Sequence, residues 1–380
     1  MIFNYPVDFF LAMLANFLFF FSFQLLLTPL PIYVERIGGE PAQVGLVMGA
    51  LALAAIFSRP GMGRVVDRLG RKPALLFGSA TFAVAPLLYL SARSVPQLVA
   101  VRLFHGLGLG AFTTAYIALI ADLAPSGRRG EAMGLAATAS PLSLMIAPPL
   151  GTSLMESQGF APLFAVAASA AALSLAAGLP IAEPQADRSP ASDGGFFQVV
   201  RRRGVWVPSV AAGVVALTYG SVITFLPLFA ARRGIEGVGF FFTAYALAII
   251  AVQALAGRLS DRVGRRMVAV PAMICIGLAF FALTHAHSTP WLAAVGIAYG
   301  LGFGGARTTL DALIADSVPL TLRGTAMGID YASFDLGIGL GSFLLGLVAE
   351  AWGYGSMYGL VGAICLAGAA TLFVLTARPG

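Results

Sequence analysis

A chain of 380 residues that is 58% hydrophobic and 11% charged, with a mean hydropathy of +0.88, is too apolar for a soluble domain; about a quarter of a soluble domain's residues are charged. Its formal net charge of +6 would suit a nucleic-acid partner only if the basic residues formed a patch. They lie instead in loops between long apolar runs, so no nucleic acid is expected, and the expected surroundings are a lipid bilayer.

Runs of about 20 apolar residues, the length that crosses a bilayer as a helix, recur from end to end. Six fall near 9–30, 42–60, 73–92, 96–121, 132–155 and 160–180, and six more near 206–230, 239–257, 267–287, 290–315, 324–349 and 355–376. The first lacks a basic leader and a small-residue cleavage site, which predicts a retained helix. Between the sixth and seventh, the composition turns to Pro, Ser, Asp, Gly and Arg. The expected organisation is therefore a six-helix bundle at 1–181, a linker at 182–205 and a second six-helix bundle at 206–380. The end of the linker, Phe196 to Arg203, reads either as a short interfacial helix or as a plain connector. Of the 23 Lys+Arg, 17 lie in alternate loops and tails or at Arg59, four lie on the other side and two, Arg102 and Arg307, lie inside runs. That asymmetry predicts that both termini are cytoplasmic. Using 22 Arg to one Lys points to a bacterial source, hence an inner membrane.

The chain repeats itself. Gly63, Asp67, Arg68, Gly70, Arg71 and Lys72 spell G-x-x-x-D-R-x-G-R-K, and Gly257, Asp261, Arg262, Gly264, Arg265 and Arg266 spell G-x-x-x-D-R-x-G-R-R. The offset is 194 positions (261 − 67), and the segment Ala118 to Asp122 recurs as Ala312 to Asp316 at the same offset. Two unrelated signatures at one offset imply a duplicated half, the sequence mark of transporters built from two parallel repeats. Gly63 and Gly257 are small enough to let helix ends approach closely, and Asp67 and Asp261 can complement the dipole of a neighbouring helix N-terminus.

The doubled motif, between the second and third runs and again between the eighth and ninth, resembles motif A of the major facilitator superfamily. The resemblance extends over essentially the whole chain and implies an all-α membrane protein of twelve transmembrane helices in two pseudo-symmetric six-helix bundles. It also implies that Arg71 meets Asp122 and Arg265 meets Asp316, as charge pairs that hold the cytoplasmic side closed and break when the halves rock. Arg102, followed by His105, Gly106, Gly108 and Gly110, is similar to the family's motif B. Gly134, Ser143, Ala147, Pro148 and Gly151 are similar to the antiporter motif C, with Ser and Ala in place of two glycines. The doubled Pro148-Pro149 should kink that span.

The remaining intramembrane charges are candidates for proton coupling or substrate binding. Arg102 and His105 stand one helical turn apart in the fourth span. Arg307 and Asp311, four apart, share a helix face and can neutralise each other. Asp330 and Asp335 fall in the eleventh span, Asp330 either as a coupling residue or at the cytoplasmic mouth, and Asp335, nearer mid-membrane, as the kind of desolvated carboxylate that can carry a proton; the sequence does not choose between Asp311 and Asp335. Asn16 and Gln24 in the first span, and Tyr219 and Thr224 in the seventh, are polar residues where the family lines its central cavity. No cofactor and no metal site is expected: Cys275 and Cys365 have no ligand company, and His285-x-His287 is too weak a signal alone. The function expected is not an enzyme's but proton-coupled efflux of small amphipathic or drug-like molecules by alternating access, by a monomer. The alternative is a proton-coupled exporter or symporter of a metabolite: a sugar, an amino-acid derivative, a metal chelate or an organic anion.

Overall fold

The computed structural model describes residues 5–125, 128–183, 199–319 and 322–376, and among these the regular structure is helical, without a strand. The first apolar run forms α1 (Val7–Leu25) and α2 (Pro29–Arg36), broken where two prolines lack N–H donors; α2 restarts with proline in its first turn. Next come α3 (Pro41–Leu69), α4 (Arg71–Ser91), α5 (Val95–Leu123), α6 (Arg129–Ala136), α7 (Ala139–Gln158) and α8 (Phe160–Gly178). Beyond the linker lie α9 (Arg203–Arg232), α10 (Gly239–Val263), α11 (Arg265–Thr284), α12 (Thr289–Asp316) and α13 (Arg323–Thr376). α13 is two helices joined at Gly353, whose φ of +78° suits glycine.

Among the described residues, nine helices are long and apolar enough to cross a membrane, or ten if the bent pair within α10 is one span. Dividing α13 at Gly353 and adding the 28-residue α12 gives a helix for each of the runs read from the sequence. The fifth run is interrupted at Ala137 and Thr138, between α6 and α7, and Pro148 and Pro149 lie inside α7.

Two compact units form, one from Met1–Gly39 with Ala50–Ala191, the other from Glu40–Gly49 with Ser192–Gly380. In the first, Phe19 of α1 is fully buried between Phe82 of α4 and Phe112 of α5, with both ring centroids 3.8 Å away. In the second, Tyr245 of α10 stacks on Tyr299 of α12 at 4.9 Å. α5 is wedged between its neighbours by glycines two residues apart. A step of two residues turns about 200° around a helix, so alternate glycines face opposite partners. Gly106 lies against the carbonyl of Leu51 and against Ala54 in α3, Gly108 against Gly78 and Thr81 in α4, and Gly110 against Ala55 and Ser58 in α3. α12 repeats this pattern, with one contact shifted by a residue: Gly300 on Tyr245 and Ala248 in α10, Gly302 on Ala272 and Ile276 in α11, Gly304 on Ile249 and Val252 in α10. The matched pairs keep the sequence offset of 194 (300 − 106, 245 − 51, 248 − 54, 272 − 78). A Cβ at Gly108 or Gly302 would stand 2.7 or 2.8 Å from its neighbour, so these positions have no room for a larger residue.

Candidate functional site

The motif-A arginines sit at the first turns of α4 and α11 and reach the last turns of α5 and α12. Arg71 Nε donates to Asp122 Oδ2 at 2.8 Å, and Arg265 Nε donates to Asp316 Oδ2 at 3.0 Å. Each pair therefore ties two helices within its own unit. The first is largely buried, with side-chain exposures of 14% and 18%, whereas Asp316 is 53% exposed. Arg265 also pairs with Asp261 at 2.5 Å, so that carboxylate answers a cation, not a helix dipole. The side chain of Asp67 lies outside the described residues, and Arg68 and Arg262 are exposed. Close approach does not explain Gly63 or Gly257: a Cβ would meet nothing within 4 Å at the first and only an ordinary contact of 3.8 Å at the second. The conformationally demanding glycines are Gly70 and Gly264, at φ +107° and +96°.

The second unit holds a charged triad. Arg307 and Asp311 share a face of α12, with Nη2 and Oδ1 2.9 Å apart. The chain then turns back, so Asp330, seven residues into α13, comes alongside Arg307, nine residues before the end of α12. Arg307 Nη2 donates to Asp330 Oδ2 at 2.6 Å. Asp330 is fully buried and is the tighter partner. Phe334 and Tyr331 complete the surroundings, their ring centroids 4.6 and 5.2 Å from the guanidinium carbon. Aromatic contacts lead from Phe334 to Phe303 and on to Tyr219 and Tyr245. Arg307 Nη1 and Asp330 Oδ1 are buried without a hydrogen-bond partner. Asp335, five residues beyond Asp330, turns to another face of the helix and is nearly buried. The positions 194 residues earlier hold Thr113, Ile117 and Ala136, so the triad has no counterpart in the first half.

The first unit carries a different buried chain of polar groups. Arg102 and His105 of α5 face Tyr89 of α4; Tyr89 Oη lies 3.0 Å from His105 Nδ1 and also bonds Arg102. Arginine can only donate, so Tyr89 accepts from Arg102. His105 Nε2 is buried without a partner beside the Phe82 ring, 3.9 Å away.

Of the residues expected to line the cavity, Gln24 and Thr224 bond one helix to another. Gln24 accepts a short hydrogen bond from Ser143 Oγ and donates to the carbonyl of Ser140, which ties α1 to α7. Gly151 in α7 lies against the carbonyl of Leu25, and the neighbouring Pro148 is buried on the same helix. Thr224 is fully buried, 2.9 Å from Ser342 Oγ. Asn16 is buried with Oδ1 unpartnered, and Tyr219 belongs to the aromatic cluster. His285 and His287 each use Nδ1 locally, on backbone carbonyls and, for His285, on the Thr284 hydroxyl. No group of three potential metal ligands occurs among the described residues. Three features were missed in the sequence: Tyr89, sixteen residues from His105, the Ser143 partner of Gln24, and the second glycine triplet at 300, 302 and 304. Only the triplet had a readable signal, the repeat offset itself.

The Major Facilitator Superfamily description matches residues 12–240 and 235–380. An uncharacterized MFS-type transporter of Salmonella typhimurium is 27% identical over 378 residues, covering 95% of this chain and 94% of that protein. The staphylopine export protein of Staphylococcus aureus is 24% identical over 364 residues, covering 92% and 91%. The multidrug resistance protein MdtG of Serratia proteamaculans is 34% identical over 170 residues, covering 43% and 41%. A crystal structure of the nucleoside transporter NupG superposes with a TM-score of 0.82 at 15% identity, covering 97% and 99%.

Proposed function

The chain belongs to the Major Facilitator Superfamily, and we propose that this transporter couples export of small amphipathic molecules to proton entry by alternating access. The observation that carries the reading is Arg307 held between Asp311 and Asp330. With all three ionised, two carboxylates face one guanidinium and one negative charge is left over inside an apolar bundle. Leaving that charge unneutralised is costly, so the cluster calls for a proton or a cationic group. If proton and substrate compete for the same carboxylate pair, one must leave before the other binds, which is the logic of antiport. The export reading draws support from two relatives, the staphylopine export protein and the multidrug resistance protein MdtG. The arginine distribution supports cytoplasmic termini in a bacterial inner membrane, and the working unit is taken as a monomer.

The test is purified protein in proteoliposomes with an imposed pH gradient, with internal pH followed as solutes are added. Proton leak on adding an amphipathic cation such as ethidium is the expected result. Leak only with zwitterionic or anionic solutes would move the assignment to a metabolite exporter, the reading that staphylopine export favours. No leak with any solute would overturn proton coupling.

A further inference from the structure

Arg71 is held by more than its repeat partner. Gly70 precedes α4 in the left-handed region, and the first two N–H groups of that helix have no partner within it. They donate to one carboxylate: Arg71 N to Glu183 Oε1 at 2.6 Å and Lys72 N to Glu183 Oε2 at 2.8 Å. The carboxyl group occupies the space a side chain at position 70 would take, with Cδ 2.5 Å from where a Cβ would stand. Glu183 is brought there by a short anchored strap. Ile181 is fully buried in a cluster with Tyr5, Leu75 and Leu119, and Ala182 N donates to Asp8 Oδ2 at 3.2 Å. The guanidinium of Arg71 meanwhile reaches Asp122 and, at 3.3 Å, the carbonyl of Val66. The ends of α3 and α5 and the strap leaving α8 thus converge on one arginine at the start of α4.

Among the described residues, the second half shows no such arrangement. Gly264 precedes α11 at φ +96°, yet a Cβ there would meet nothing within 4 Å. The residue 194 positions after Glu183 is Ala377 (183 + 194), which has no carboxylate to offer. The Arg265–Asp316 pair is correspondingly the more exposed of the two.

We propose that Glu183 is a positioning residue: it fixes the backbone of Arg71 so that the guanidinium stays on Asp122. The first-half pair then opens only when Glu183 lets go, whereas the second-half pair opens without such a latch. This goes beyond proton coupling and stands or falls independently of it.

Hydrogen exchange on the full-length protein tests it, read by mass spectrometry on peptides covering Gly70 to Leu76. Glu183→Ala should speed exchange there about tenfold or more, the factor that corresponds to losing a charge-assisted hydrogen bond. Glu183→Gln keeps one acceptor oxygen and should restore part of the protection. Gly70→Ala should expel the carboxylate and give the same local increase, not additive with Glu183→Ala. The matching segment after Gly264 should be unchanged in every variant. Unaltered exchange at Gly70 to Leu76 in Glu183→Ala or in Gly70→Ala, or an increase shared equally by the segment after Gly264, would overturn the proposal.

Discussion

Replacing Asp330 by alanine removes the fully buried partner of Arg307 and leaves the guanidinium with Asp311 alone. Stripping one partner from a buried ion pair costs about 3–5 kcal/mol when nothing replaces it. Here Asp311 remains 2.9 Å away, but it is 31% exposed and its attraction is weakened by solvent. The expected loss for Asp330→Ala is therefore about 2–3 kcal/mol, and for Asp311→Ala about 1 kcal/mol. Arg307→Ala strands two carboxylates and should cost about 3–5 kcal/mol. Once Arg307 is gone, deleting Asp330 relieves repulsion instead of breaking a bond, so the double variant should fall short of the sum by about 2 kcal/mol. Thermal unfolding in detergent reads this at about 2–4 °C per kcal/mol for a unit of this size, a coupling of about 4–8 °C. Shifts that simply add would refute the idea that Asp330 and Arg307 form one energetic unit.

Tyr89→Phe removes the hydroxyl shared by Arg102 and His105 and should lower stability by about 1–3 kcal/mol, read in the same unfolding assay. Gly108→Ala and Gly302→Ala each force a methyl into contacts of 2.7 and 2.8 Å, and each should cost about 1–3 kcal/mol. Gly63→Ala, facing open space, should stay within about 0.5 kcal/mol of wild type. High salt should shrink the destabilisation caused by Arg265→Ala, whose partner is exposed, and leave that of Arg71→Ala nearly unchanged. Equal salt dependence of the two variants would contradict the difference in burial.

The helix count and the duplication were legible because a bilayer demands long apolar runs and because the repeat kept its loop chemistry at a fixed offset. The pairings Arg71–Asp122 and Arg265–Asp316 came with the resemblance, and the i,i+4 pair Arg307–Asp311 followed from helix geometry. Asp330 as the buried partner of Arg307 did not, since 23 residues and a turn separate them, and only the folded chain sets the two at similar depth. Thr224 and Gln24 read as cavity residues because they are polar residues of the spans with which the family lines its cavity. In the structure the same polarity bonds one helix to another, and sequence alone cannot tell these uses apart. Gly63 and Gly257 mislead for a related reason: a glycine in a motif does not announce whether space or backbone conformation requires it. The glycine triplet of α12 was readable, since Gly300, Gly302 and Gly304 sit 194 residues after Gly106, Gly108 and Gly110.

The most direct test of the charged triad as the coupling site compares wild type, Asp311→Asn and Asp330→Asn side by side in proteoliposomes carrying a pH gradient. Binding of the transported solute is measured in parallel on the same preparations. Wild type should show solute-dependent proton entry. Both variants should lose that entry and, because Asn mimics the protonated carboxyl, should also bind the solute more weakly. Full proton-driven transport in either variant would contradict the account, because the carboxylate it lacks could then not be the one that proton and substrate share.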